Sequence, residues 1–546
     1  MAAQIGKGAE PKDEYEDARK LRQLLQLRAL VDDLIEEGLL DRKPLAEVMR
    51  GMLPRICDLV GARAAFVQSY DEDLRLSVFR TPKDVVIPDW DAIVARTANE
   101  TREVLTLKEG ADLIIAQPLD VAGEWFGRAG LVVPADSMEA VDPDHLHELL
   151  DIACEELDNF LFSIKAAREK HRVMMELADA LRHRVLSEGL RQAVSVLSAS
   201  TPIDRLLLAY VAQEDSAATL QVQLFEGGKL AVDTMSDASD VHELRDLGRE
   251  WLFGRSSELL ERLGFASRDG GGAREEVLIS GVTNAVRVGK VVATSKSGAF
   301  NTYDRELLAG FTGFIRQRVV DFNKEWRRLA ASFRQEDVAR LLGADDYESR
   351  YLAPREDLVA IGYADIAGFT RLSEQVLRTP SAVGALVEAW SAEAVRLVFE
   401  RGGVFDKMIG DCILALFGPP FYDQSPGERL AAALRWAVDI RQMTREFAAR
   451  PGFEALREEG LGVTIGVNLA PLFVGTFGPN RNFTGFSSGM NNTARLQSTA
   501  RRDEILVMSE AIEQLPAGHG FAFGEERSAA VKNVAQPLRF RPLERS

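Results

Sequence analysis

Two aspartates in this 546-residue chain each close an apolar, strand-like run beside glycine. One lies in Ala364-Asp365-Ile366-Ala367-Gly368-Phe369-Thr370, the other in Lys407-Met408-Ile409-Gly410-Asp411-Cys412. An Asp next to Gly often does no more than cap a turn. Two of them at neighbouring strand ends make a different object. Paired carboxylates with small residues beside them suit divalent cations held against a triphosphate. A third stretch, Asn491-Asn492-Thr493-Ala494-Arg495, sets an amide and a guanidinium at i, i+4 on one helix face. Carboxylates, a guanidinium and an amide are the parts of phosphoryl-transfer chemistry on a nucleoside triphosphate.

Strands and helices must position these groups. The predicted strands are Leu358–Asp365, Val404–Ile409, Cys412–Phe417, Gly462–Asn468 and Leu472–Phe477, with helices over 381–400 and 426–449. That order contains the βαββαβ core of a ferredoxin-like α/β (α+β) fold, with a tight turn at Gly410-Asp411.

The whole chain is too long for one core, and roughly three domains are expected. Hydrophobic content of 46% and charged content of 27% are those of an ordinary globular protein. The net charge of −18 argues against a general nucleic-acid binder. No run is apolar enough to cross a bilayer, and the polar N-terminus lacks a signal-peptide core, so no membrane partner is expected. Cys57, Cys154 and Cys412 are widely spaced, with neither zinc-site spacing nor a disulfide framework, which points to a cytoplasmic location.

The expected organisation is an N-terminal helix (1–41), an α/β block (42–162), a linker helix (163–185), a second α/β block (186–318), a signalling helix (319–345) and the site-bearing domain (346–546). Three apolar seams with three-four spacing read as coiled coils joining these parts into a parallel dimer. They are Leu24–Leu34, Leu157–Val185, and Ile315, Val319, Phe322, Trp326, Leu329 and Phe333. The Gly-rich run Gly270-Gly271-Gly272 has no Lys-Ser/Thr after it and reads as a hairpin tip rather than a phosphate loop.

Both N-terminal blocks resemble GAF domains in element order and size. In the second, Lys296-Ser297-Gly298-Ala299-Phe300-Asn301-Thr302-Tyr303-Asp304 looks like part of a signature of cyclic-nucleotide-binding GAF domains, with Lys296 and Asp304 expected to pair. The resemblance implies a small-molecule ligand and leaves it unnamed.

From about Asp357 onward the chain resembles the class III nucleotidyl cyclase domain. The resemblance implies that Asp365 and Asp411 hold two Mg²⁺ (or Mn²⁺) ions per site, with the Ile366 carbonyl as a further ligand. The amides of Gly368, Phe369 and Thr370 would cradle phosphate. Lys407 and Thr484 occupy the purine-reading positions; a lysine donates to adenine N1, whereas guanine N1 carries a hydrogen. Asn491 and Arg495 match the transition-state pair, and Lys532 a late phosphate-binding lysine. The family works as a dimer with metal and purine groups from opposite subunits, so a homodimer binding ATP is implied. An adenylate cyclase regulated by GAF-like domains is the reading. The alternatives are a guanylate cyclase and a non-catalytic, ligand-binding regulatory dimer. The chain departs from the family's Thr-x-x-Gly-Asp-x-Val-Asn, with Ser487 and Ser488 in place of its Gly and Asp and glycines at Gly485 and Gly489 instead, and it carries Ala470 for a strand-turn Gly, Asn468 for a frequent His and Asn533 for a Gly, without removing a catalytic group.

Overall fold

The computed structural model describes residues 11–71, 73–83, 104–109, 111–121, 124–134, 142–212, 219–234, 241–265, 274–280, 287–530 and 537–545. The run Gly270–Gly272 and Lys532 lie outside them. Met1–Glu176 and Leu177–Ser546 form two compact units.

In the first unit, β1 (Ala64–Tyr70), β2 (Leu76–Thr81), β3 (Leu105–Glu109), β4 (Asp112–Val121) and β5 (Glu124–Pro134) form one antiparallel sheet in the order β2-β1-β5-β4-β3. The helix Pro11–Leu40 packs Leu27, Val31 and Ile35 into the same core as that sheet. The first apolar seam is therefore spent inside its own unit. The next helix is continuous over Pro143–Leu181. Its Leu157, Phe160 and Leu161 join this core. Further on it buries Leu181, a residue of the predicted seam, together with Val173 and Leu177, which that seam did not include, while the seam's His171 is exposed.

The second unit opens with β6 (Ile203–Ala212), β7 (Thr219–Glu226), β8 (Lys229–Asp233), β9 (Arg274–Ser280) and β10 (Arg287–Ser295), ordered β8-β7-β6-β10-β9. The two small sheets share a four-strand arrangement, β2-β1-β5-β4 matching β7-β6-β10-β9. The helix Thr302–Ala330 follows. Asn301 and Asp304 form its capping box, the Asp304 N–H donating to Asn301 Oδ1 at 2.8 Å and the Asn301 N–H to Asp304 Oδ2 at 3.1 Å. This corrects the expected Lys296–Asp304 pair: the local cap takes the carboxylate, and among the described residues no ion pair joins the two. Ile315, Val319, Phe322, Trp326, Leu329 and Phe333 are all buried within the single chain, so this seam too is used internally rather than left for a partner.

The third sheet runs β12 (Gly403–Ile409), β13 (Cys412–Phe417), β11 (Arg355–Ile366), β14 (Val463–Phe477), β16 (Ile505–Met508), β19 (Leu538–Arg545) and β17 (Ala522–Phe523), with β15 (Asn482–Phe486) on β14 and β18 (Arg527–Ala529) on β19. Its first four strands carry the βαββαβ order read from the sequence. Two predicted strands prove to be one, β14. Pro471 interrupts nothing, because β14 meets β16 at Ile465–Val467 and β15 at Phe473–Phe477, and Pro471 falls between, on an unpaired stretch of that edge. The helices Pro380–Glu400 and Pro426–Phe447 supply the core, with Trp390, Trp436, Phe417 and Phe447 fully enclosed. Such burial is worth about 1.5–3 kcal/mol per large apolar side chain.

Candidate active site

Asp365 is the penultimate residue of β11, and Asp411 sits in the turn from β12 to β13, where Gly410 takes φ 64° and lets the chain reverse with Ile409 opposite Cys412. Antiparallel pairing of β11 with β13 brings the two ends together. The carboxyl groups face each other at hydrogen-bonding range, and the Ile366 amide donates to Asp411. Burial, then the Asp411 charge, raises the Asp365 carboxyl well above the usual carboxylate range; burial raises Asp411 as well. One Asp411 oxygen, Oδ2, is buried with no hydrogen-bond partner.

This arrangement fits a hard divalent cation. Two oxygen-donor groups lie side by side, one oxygen is orphaned, and no cationic side chain among the described residues bonds to either. The described residues contain no group of three or more His, Cys, Asp or Glu that could hold a metal. Two carboxylates alone leave most of an octahedral shell to water and substrate phosphates, as Mg²⁺ sites on nucleotides do.

An open cleft of about 540 Å³ lies beside Asp365, lined among others by Asp365, Ile366, Gly368, Thr464 and Gln497. Gly368, left-handed at φ 71°, starts the short helical turn Phe369–Arg371 at its rim. Gly368 and Thr370 are exposed and Phe369 packs against the core, so the amides stand at the surface of the cleft.

Gln497 escaped the sequence reading. Its Nε2 donates to Thr464 Oγ1 at 2.7 Å and toward Asp365 Oδ2 at 3.4 Å. It arrives there because the helix Ser488–Thr499 lies directly on β14 at Gly466, where any Cβ would come within 2.7 Å of the helix backbone. Thr493, fully buried, occupies the same helix face one turn earlier. Asn491 and Arg495 precede these two by two residues, about 200° around the helix. They therefore look away from Asp365 and Asp411 in the same chain. Asn491 is exposed and Arg495 half-buried, and among the described residues neither bonds to the carboxylate pair.

Lys407 and Thr484 come together from different strands. Lys407 on β12 donates from Nζ to Thr484 Oγ1 on β15 at 3.1 Å. The β14–β15 hairpin that carries Thr484 is tethered at its tip: Arg481 donates to Glu348 at 2.8 Å, and Arg328 of the Thr302–Ala330 helix donates to the Arg481 carbonyl at 3.4 Å. A third acid adjoins the pair. Asp406, next to Lys407, has a fully enclosed side chain whose carboxylate lies 3.6 Å from Lys407 Nζ. Its sequence signal was a lone acid inside the apolar run Val404-Phe405-Asp406-Lys407-Met408-Ile409.

Residues 352–540 match the family model described as the adenylate and guanylate cyclase catalytic domain. The chain is 30% identical over 191 residues to an adenylate cyclase of Streptomyces coelicolor, a stretch covering 35% of this chain and 40% of that protein. It is 27% identical over 244 residues to an uncharacterized protein of Mycobacterium tuberculosis, covering 43% and 40%. It thus spans about 40% of the length of these curated relatives. Among solved structures, the adenylyl cyclase CyaB from P. aeruginosa is 23% identical and matches over 36% of this chain and 97% of its own, with a TM-score of 0.32. The guanylyl cyclase Cya2 is 23% identical over 35% of this chain and 93% of its own, at 0.31. On the family match, residues 352–540 of this chain are an adenylate/guanylate cyclase catalytic domain.

Proposed function

We propose that the chain is an adenylate cyclase that converts ATP to 3′,5′-cyclic AMP and pyrophosphate at sites shared between two copies. The observation that carries the choice of base is the Lys407–Thr484 contact at 3.1 Å. It concentrates an ammonium donor and a hydroxyl at one point, matching adenine N1 and its 6-amino group. Lysine there opposes the N1–H of guanine.

In this reading the 3′-oxygen of the ribose attacks the α-phosphorus, the bond to the bridging oxygen of the β-phosphate breaks, and pyrophosphate departs as the 3′-hydroxyl loses its proton. Asp365 and Asp411 would hold the divalent cations, which would supply Lewis acidity and charge neutralisation. The amides of Gly368, Phe369 and Thr370 hold phosphate oxygens. Lys532 is a candidate for the same task. Asn491 orients the ribose, and Arg495 meets the charge that grows on the α-phosphate. Because Asn491 and Arg495 look away from the carboxylates of their own chain, a second copy must supply one of the two sets, which makes a homodimer with two equivalent sites. The two N-terminal blocks are read as GAF-like regulatory modules, which their shared four-strand order supports.

The test is product formation by the purified protein with Mg²⁺ or Mn²⁺ and either ATP or GTP. Cyclic AMP from ATP, lost in Asp365→Ala, is the expected outcome. Cyclic GMP from GTP would replace this reading with a guanylate cyclase. No product from either nucleotide would favour a regulatory, non-catalytic dimer. Lys407→Glu should move activity from ATP toward GTP; an unmoved preference rejects the base assignment.

A further inference from the structure

The carboxylate of Asp406 has no role in the chemistry so far. It should not be where it is. A strand alternates its side chains, so an acid next to Lys407 ought to point to the other face. The register of β12 against β13 explains the exception. Phe405 pairs with Ala415 and Lys407 with Leu414, so Asp406 is the extra residue of a β-bulge. The bulge turns Asp406 and Lys407 to the same side, beneath Thr484.

The Asp406 side chain is wholly enclosed, and neither oxygen makes a hydrogen bond of good geometry. The Thr484 hydroxyl and the Lys407 ammonium stand close enough to favour its ionised form, while burial acts against that form. A buried carboxylate left in this state costs stability. An acid with a purely structural duty would be expected to sit under an arginine or several backbone amides instead.

We propose that Asp406 is a positioning residue that fixes which way the Thr484 hydroxyl points, and so selects a purine with an amino group at C6 over one with a carbonyl. This rests on the reading of Lys407 and Thr484 as the base-contacting pair. A threonine hydroxyl has one proton and two lone pairs. Lys407 occupies one lone pair. If the proton is turned to Asp406, only the second lone pair remains for the base. Thr484 is then an acceptor, which meets an amino group and repels a carbonyl. Without the carboxylate the hydroxyl is free to rotate and donate to a carbonyl. Polar contacts of this kind commonly tighten only once substrate is bound.

The experiment measures kcat/KM for ATP and for GTP in the full-length protein and in Asp406→Asn, Asp406→Ser, Thr484→Val and the Asp406→Asn/Thr484→Val double variant. The preference for ATP should fall about tenfold in each neutral Asp406 variant, the equivalent of one lost hydrogen bond of about 1.4 kcal/mol, with the ATP loss carried mainly by KM. In the Thr484→Val background, Asp406→Asn should change the preference no further, because Asp406 acts through that hydroxyl. Thermal unfolding of each variant checks that a changed preference is not a folding defect. An unchanged preference in both Asp406 variants, with Thr484→Val or Lys407→Glu still altering it, overturns this inference and leaves the base-reading pair intact. A preference insensitive to Lys407→Glu and Thr484→Val as well removes the base-reading pair and this inference with it.

Discussion

At Asp365 and Asp411 the folded chain keeps two acidic groups within hydrogen-bonding range and partly out of water. Both are raised by burial, Asp365 further by its neighbour's charge. A carboxyl raised on folding binds more protons folded than unfolded, so the metal-free protein loses stability as pH climbs above the ordinary carboxylate range of about 4. Cation binding removes the repulsion. Thermal unfolding in EDTA should therefore show a lower midpoint at pH 7.5 than at pH 5.5, and Mg²⁺ or Mn²⁺ should raise the midpoint more at the higher pH. Asp365→Asn should flatten the slope and abolish the metal effect; a metal effect that survives it would place the cation elsewhere. These two acids were legible because each ends an apolar run beside glycine. Asp406 was not, because strand alternation sends it outward on paper and only the bulge brings it in. Asp304 misled for a related reason: a cap three residues away outcompetes a lysine that tertiary structure would have to deliver.

The helix Ser488–Thr499 shows how an element absorbs departures from a family pattern. Ser487 accepts from the amides of Gly489 and Met490 and so starts the helix without the expected Gly-Asp. A Cβ on Gly489 would lie 2.4 Å from the Cβ of Ala470. The strand position where the family carries glycine has gained a methyl, and the helix position facing it has none. Gly489→Ala should therefore push the helix off β14 and destabilise the domain by roughly 1–3 kcal/mol, and Ala470→Gly in the same chain should restore the melting temperature and the turnover. Recovery absent from the double variant would mean the two positions are not a compensating pair. The ferredoxin-like strand order was legible in the succession of apolar runs, although the last two predicted strands are one, β14. Which partner each apolar seam finds was not, because three-four spacing describes a buried helix in a single chain as well as it describes a coiled coil.

In the whole molecule, the proposed division of the site between two copies has a countable consequence. On that proposal Asp365→Ala and Arg495→Ala should damage different halves. Each alone should lose turnover by at least about a hundredfold. Mixed and allowed to exchange, half of the dimers pair unlike chains and keep one intact site of two, so about a quarter of the activity should return. No recovery, with exchange demonstrated, would place both groups in one chain. Ile409, Phe473 and Phe486 are 57%, 49% and 55% exposed, with Phe477 in ring contact with both phenylalanines, an apolar surface that such pairing would cover. β12 stands at the outer end of the sheet, where bare amides and carbonyls would invite another chain to add a strand. The Phe405 amide is already taken by the Ser332 carbonyl at 2.9 Å, and the extra residue at Asp406 bends the strand beyond it. The same bulge that sets the Asp406 carboxylate beside Lys407 and Thr484 also makes this edge a poor template for aggregation, so shortening β12 by that one residue would be expected to cost solubility as well as the proposed selectivity.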